Sequence, residues 1–358
     1  GKEVPLDSFP KDILSEGSRI QVELSEASSS DDRRAILNLI ASGKYDNLSE
    51  PPSDPSAYAH LNRSVRSCFS GLMLHHVVSE PAFMLEDVSR LLDIGCSGRQ
   101  AWNVAITLLK NGRVAQLEKA HLDELVGSIE RDRSNKQSAE IETISNQQLG
   151  IALNACSMNF VSRMVGACNW LQSLTLEGCE NSAMQDAEAV ALGGEAGKSQ
   201  RLQCLKLPCN QIGDNGAAGL ASAIQTSLVL QWLDLDNNRI ADRGATSLAE
   251  ALALSSSMQT LYLDSNQIAD EGASSLAKAL ERSSSMQCLS LNGNQIADRG
   301  ATSLAKALAV SSSMQTLYLS RNQISDEGAS SLAKALERSS SMQCLSLNGN
   351  QIADRGAT

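Results

Sequence analysis

From Leu171 onward the apolar positions return in a fixed order. The segment LQSLTLEGC begins at Leu171, LQCLKLPCN at Leu202, LQWLDLDNN at Leu230 and MQTLYLDSN at Met258. MQCLSLNGN follows at Met286, MQTLYLSRN at Met314 and MQCLSLNGN again at Met342. The first step is 31 residues and every later one is 28. Superimposed is a 56-residue period in which a Tyr-bearing unit alternates with a Cys-bearing one. Self-similarity at such a period marks an array of stacked units, each too small to bury its own apolar face.

Each unit has two halves. The first reads L-x-x-L-x-L-x-x-N-x-I. In the unit at Met258, Leu261 and Leu263 alternate inward with a period of two, which predicts a short strand. Asn266 ends the strand, and its amide is expected to satisfy backbone groups of its own bend and of the next unit's bend. The second half, DEGASSLAKALERSSS, predicts a helix. Ala273, Leu276, Ala277 and Leu280 recur at i, i+3, i+4 and i+7, one apolar stripe. Asp270 is expected to be the N-cap, Gly272 to allow close backbone approach, and Ser283 to Ser285 to make the return turn.

The pattern LxxLxLxxNxIxDxGAxxLAxAL, met almost residue for residue from Leu230 and more loosely from Leu171, resembles leucine-rich repeats of the ribonuclease-inhibitor-like subclass. It is similar to the repeat regions of NOD-like receptors and of Ran GTPase-activating proteins. The resemblance covers about half the chain. It implies an α/β solenoid, a horseshoe with parallel strands on the concave face and helices on the convex face, and protein–protein binding as its usual activity.

The first half differs. Residues 1–59 read as an irregular, extended segment ending in the Pro/Ser-rich stretch LSEPPSDPSAYA, with one short helix candidate in DDRRAILNLIAS. Residues 60–138 read as mainly α-helical, over Val65 to Val78, Ala82 to Leu92, Ala101 to Leu109 and Val114 to Arg131. In the last of these Leu122, Leu125, Val126 and Ile129 form one stripe. Residues 139–170 read as a degenerate capping repeat, since SNQQLG resembles the strand exit of the later units. Residues 171–358 are the repeats. The sequence stops at Thr358 inside a unit, so Leu345, Leu347 and Ile352 are expected to need further chain or a partner to cover them. Gly1 in place of Met suggests a processed or cut terminus.

Composition narrows the classes. Of 358 residues, 42 % are hydrophobic but only 3 % aromatic, so the core is expected to be built from Leu, Ala, Ile, Val and Met. A formal net charge of −11 argues against a nucleic-acid-binding surface, which needs clustered Lys and Arg. No apolar run reaches the roughly 18 residues needed to span a bilayer. Nine scattered cysteines with no CxxC pair read as reduced thiols. An intracellular, cytoplasmic setting is expected, with an organelle after removal of a targeting segment as the alternative.

No stretch carries a convincing catalytic or cofactor motif. LLDIGCSGR (Leu91 to Arg99) is similar to the cofactor loop of S-adenosylmethionine-dependent methyltransferases. However, Ser97 and Arg99 stand where glycines are wanted, and a helix end capped by Gly95 explains it better. GGEAGKS (Gly193 to Ser199) has Leu192 where a phosphate-binding loop needs glycine, and is expected to be a loop insertion that accounts for the 31-residue step. His75 and His76 are adjacent on a helix candidate, a poor metal pair; with His60 and His121 they complete the histidines. Cys288 and Cys344 are expected on the concave side, about 10 Å apart and too far for a disulfide. The expectation is therefore no metal, no cofactor and no enzyme.

Alternation points strand positions 3, 5, 7 and 8 out of the concave face. The expected partner-binding residues are Trp232, Asp234, Asp236, Tyr262, Asp264, Tyr318 and Arg321, with Trp232, Tyr262 and Tyr318 as exposed aromatic anchors of the kind that dominate interfaces. The function so read is a non-enzymatic protein-interaction scaffold that binds a protein partner through this face. Two alternatives stand beside it: a structural subunit of a large assembly anchored by its N-terminal region, and a GTPase regulator, the latter by resemblance to the Ran activators alone.

Overall fold

The computed structural model describes residues 182–353 without a break, together with 171–179, 155–168, strand residues 143–145 and single helical positions between 101 and 129. The stretches at Leu91 to Arg99 and Leu48 to Ala59, the helices expected before residue 101, and His60, His75, His76 and His121 lie outside the described residues. The chain divides into two compact units, 1–134 and 135–358. In the first, Ala101, Val104, Ala105, Leu108 and Leu109 are buried helical positions, as are Leu125, Val126 and Ile129 of the stripe read from the sequence.

The second unit is a coil of strands and helices. Strands β1 (Thr143–Ser145), β2 (Ser173–Thr175), β3 (Cys204–Lys206), β4 (Trp232–Asp234), β5 (Thr260–Tyr262), β6 (Cys288–Ser290), β7 (Thr316–Tyr318) and β8 (Cys344–Ser346) form one sheet in sequence order. Every pairing is parallel, in a register that sets each position beside its equivalent. Between strands lie α1 (Ala155–Ala167), α2 (Asp186–Ala196), α3 (Asp214–Thr226), α4 (Asp242–Leu252), α5 (Asp270–Arg282), α6 (Asp298–Val310) and α7 (Asp326–Leu336). Packed helices need about 8–10 Å between axes where paired strands need about 4.8 Å, so the strand side becomes the inner, concave face.

The core is the predicted one. Leu261, Leu263, Ile268, Leu276 and Leu280 are all at most 1 % exposed, and the same positions are buried in the neighbouring units. Alanines at the other stripe positions keep the helices close to the sheet.

Three polar ladders tie unit to unit. The first is the buried asparagine. The Asn266 side-chain amide donates to Leu263 O in its own bend and to Leu235 O in the preceding unit, and its Oδ1 accepts from the Ile240 N–H, also in the preceding unit. Asn238, Asn294 and Asn322 repeat the arrangement. The expected reach toward the next unit is thus reversed. The bend curls the amide back over the coil already laid down.

The second ladder corrects the expected N-cap. Asp270 is the first residue of α5, and the cap position is Ala269. Its carboxylate serves the next helix instead, accepting from the N–H groups of Ala297 and Gly300 at 2.9 and 2.8 Å. Asp214, Asp242 and Asp298 do the same one unit apart. Each helix start is therefore satisfied by its predecessor, with the carboxylate on the positive end of the dipole. The glycine is required by this contact, because a Cβ on Gly272 would lie 2.7 Å from Asp242 Oδ1.

The third runs through the return turns, where the hydroxyls of Ser257, Ser285, Ser313 and Ser341 donate to the backbone of the unit before.

The expected loop at Gly193 to Ser199 is not one. Gly193 to Ala196 are the last turn of α2, and Gly193 packs where an added Cβ would meet Gly219 O at 2.4 Å. The three extra residues of the first step lie earlier, between Leu176 and Met184, where Cys179 and Ser182 form a small bridge. Asp186 to Asp214 and Leu202 to Leu230 already keep the 28-residue spacing.

Candidate partner-binding face

The parallel register lays the outward strand residues in rows across the concave face. Position 3 gives the row Cys204, Trp232, Thr260, Cys288, Thr316 and Cys344. Position 5 gives Lys206, Asp234, Tyr262, Ser290, Tyr318 and Ser346. Of the seven site residues expected from the sequence, Trp232, Asp234, Asp236, Tyr262 and Asp264 fall together on β4, β5 and their exits. Tyr318 and Arg321 lie two units further along.

The aromatics are half-buried rather than the exposed anchors expected. Trp232 packs edge-on against Tyr262, with ring centroids 5.1 Å apart and planes at 62°. The indole N–H is buried and meets no acceptor among the described residues. The Lys206 ammonium lies over the Trp232 ring, 5.2 Å from its centroid. Burial pushes the Tyr262 phenol up to about 12, helped by its contact with Cys288. Cys288 is half-buried and Cys344 exposed, and both are free thiols. Burial raises the Cys288 thiol, against the pull of its hydrogen bond with Tyr262.

Position 7 carries a feature the sequence reading missed. Asp236 Oδ1 accepts from the Asp264 N–H at 2.7 Å, Asp264 Oδ1 from the Asn292 N–H at 2.8 Å, and Asn292 Oδ1 from the Ser320 N–H at 2.7 Å. Each side chain holds the next unit's bend, and Asp264 also accepts from the Asn292 amide and the Ser290 hydroxyl. The ladder starts at Asp236 because the residue before it in the row is Pro208, whose side chain has no acceptor. The Asp236 N–H turns instead to Asp234 Oδ1 at 3.0 Å. The available signal was a run of Asp and Asn at one strand position. One oxygen of Asp236 and both of Asp264 are therefore spent inside the fold.

Position 8 is not a face position at all. Cys209, Asn237, Ser265 and Arg321 all have positive φ, between 53 and 58°, and Gly293 and Gly349 take the same bend. The backbone must turn left-handed here so that the residue's N–H can reach the next unit's carbonyl, as Ser265 N–H does to Asn292 O. The Arg321 side chain leaves this bend exposed at the rim.

The electrostatics concentrate at β4. Burial pushes the Asp236 carboxyl up to about 7, and repulsion from Asp234 adds to it, while the Asp264 N–H pulls the other way. Asp234 is also raised, by burial first, with the Asp236 N–H and the Lys206 ammonium opposing. Among the described residues no group of His, Cys, Asp and Glu could hold a metal ion, and no helix is long and apolar enough to cross a membrane.

The family model of the leucine-rich repeat matches residues 198–221, 227–249, 254–277, 282–305, 310–333 and 338–358. With the in-order parallel sheet, this makes residues 198–358 an array of leucine-rich repeats, and such repeats are a scaffold for protein interaction. No curated protein matches it. Solved structures that do include leiomodin-1 actin-binding site 2, at 18 % identity over 42 % of this chain and 87 % of that one, with a TM-score of 0.37. The tropomodulin C-terminal domain of Caenorhabditis elegans matches at 14 % identity over 60 % and 92 %, with a TM-score of 0.32. An internalin of Listeria monocytogenes matches at 17 % identity over 98 % and 93 %, with a TM-score of 0.42. Likenesses this remote say nothing of what the chain binds.

Proposed function

We propose that the protein is a non-enzymatic interaction scaffold of the ribonuclease-inhibitor-like subclass, binding a protein partner through the concave face of its repeats. The centre of contact is Trp232, Tyr262, Asp234, Asp236 and Asp264, with Tyr318 and Arg321 at its edge. The observation that supports this most is the Trp232–Tyr262 pair, two large rings half-open on a face whose other side chains, Lys206 and Tyr318 apart, are small. The core below is filled by leucines and does not need them. Half-buried aromatics beside carboxylates combine low ordering cost with polar anchoring, the make-up of interface hot spots. The scattered thiols suit a reducing, intracellular setting.

The test is recovery of partners from native extract by the tagged full chain, compared with Trp232→Ala and Tyr262→Ala variants of matched stability. Loss of a partner in both supports the face. Full recovery of every partner by the double variant removes it as the site.

A further inference from the structure

The proposed face is not evenly charged. At strand positions 3, 5 and 7 of β4, β5 and β6 there is no Lys or Arg, while Asp234, Asp236 and Asp264 lie side by side. The one cation at strand positions 3, 5 and 7 from β3 to β7 is Lys206 on β3. Lys206 sits opposite Asp234 in the register, and its ammonium lies 5.2 Å from the centre of the Trp232 ring. It thus already stands over the aromatic face that a foreign cation would seek here, and its charge acts on the Asp234 carboxyl beside it.

Three features mark this as a seat rather than a chance contact. The ring is held edge-on by Tyr262, so its face is presented in a fixed direction. Asp236 is anchored by the position 7 ladder, so its remaining oxygen is already in place when a ligand arrives, while Asp264 spends both oxygens inside the fold and adds its charge alone. The carboxylates are also undercompensated. Burial, then the charges of Asp264 and Glu177, raise Asp234 despite Lys206, and burial, then the charges of Asp234 and Asp264, raise Asp236. A second cation would be welcomed there, and the chain as a whole carries a net charge of −11.

We infer that the seat between the Trp232 ring and the carboxylates of Asp234 and Asp236 takes an arginine or lysine from a basic segment of the partner, and that Lys206 occupies it beforehand as a built-in competitor. The inference rests on the concave-face reading above and deepens it. The partner's side chain displaces the Lys206 ammonium into solvent, so loss of the Lys206 charge opens the site.

The probe is a fluorescent hexa-arginine peptide, with hexa-glutamate as its counterpart, titrated against the full chain at fixed salt. The wild type binds the first and not the second. Lys206→Met tightens binding about threefold or more. Arg239→Met removes the same charge from an exposed position outside the seat and tightens it less. Lys206→Arg, which refills the seat, leaves it unchanged. Asp234→Asn weakens binding about fivefold or more. Equal effects of Lys206→Met and Arg239→Met would reduce the seat to net charge and overturn the inference, as would absence of hexa-arginine binding. If the peptide fails to bind while Trp232→Ala still loses a native partner, the cation chemistry falls and the concave face stands. If neither responds, both fall.

Discussion

Residues 255–302 and 311–358 are two tellings of one sequence that differ at three positions, and each change alters the local contacts. Asp264 becomes Ser320, Ser265 becomes Arg321 and Ala269 becomes Ser325. In the first telling Asp264 gathers the Asn292 backbone and amide and the Ser290 hydroxyl. In the second, Ser320 shares a single bond with the Ser346 hydroxyl at 2.8 Å. Ser265 is a bare left-handed bend, whereas the Arg321 stem lies over the bend of the next unit, where a Cβ on Gly349 would meet it at 3.3 Å. Ala269 caps α5 with no side-chain bond, whereas Ser325 accepts from Glu327 N and donates to Asp298 Oδ2 at 2.6 Å. The asparagine ladder runs through both tellings, and the leucines keep the same sequence positions. Repetition is therefore the demand of stacking, and variation is tolerated where a side chain leaves the shared backbone framework.

The comparison breaks most easily at the ladder. Asn266→Ala and Asn322→Ala each strip a buried bend of its partners, leaving the Ile240 N–H, or the Ile296 N–H, unsatisfied, and Leu235 O, or Leu291 O, with only the Asn238 or Asn294 amide of its own unit. Each costs about 3 kcal/mol in urea unfolding, and the two agree closely because the environments are the same. A large inequality would show that the tellings are not structurally equivalent. Gly272→Ala drives a methyl into the Asp242 carboxylate and breaks the contact that satisfies the start of α5; the expected loss is about 2 kcal/mol.

The cap sharpens the contrast. Ser325→Ala costs about 1 kcal/mol, while Ala269→Ser, which copies the second telling into the first, gains a similar amount by bonding to Asp242. The Ser325 substitution also has a pH signature. Burial alone would raise Asp298, but bonds from the Ser325 hydroxyl, the Ser325 N–H and the Gly328 N–H outweigh it and hold the carboxyl below its ordinary value. A depressed carboxyl stabilises the fold above its unfolded pKa, and that gain is lost as pH falls through the folded one. Ser325→Ala therefore loses less at acid pH than at neutral pH.

The smallest effect lies at Asp236. With its folded pKa pushed up to about 7 and an unfolded carboxyl near about 3.9, the folded state holds the extra proton between those values. Stability thus falls as pH rises through that window and is flat above it. Asp236→Asn keeps the acceptor for the Asp264 N–H and removes the repulsion. It should stabilise the protein at pH 8 by about 1 kcal/mol, solvent screening on the open side limiting the gain, and erase the slope.

The fold was legible because stacking imposes one requirement on every unit. Leucines at strand positions 4 and 6, isoleucine after the bend and the alanine–leucine stripe must recur, so the period exposes the coil. What escaped was the direction and ownership of polar contacts. Asp270 reads as a local cap, yet it serves the next helix, because the coil sets each helix start beside its predecessor's first turn. Asp236 and Asp264 read as free surface, yet each spends an oxygen on the following bend. Arg321 reads as a face residue, yet it stands on a left-handed bend at the rim. Such contacts join residues 27 to 30 apart, and no single unit displays them. Of the candidate site, the clustering of Trp232 with Tyr262 was readable from strand alternation, but the ammonium over the ring was not.

The most direct measurement places a photo-reactive phenylalanine derivative at position 262 on the concave face and, in a separate protein, at Lys278, exposed on the outer side of α5. Irradiation in native extract should link a partner from position 262 and leave 278 unlinked. Linkage of the same partner from 278 and not from 262 would move the interface to the helices and remove the concave face as the functional site.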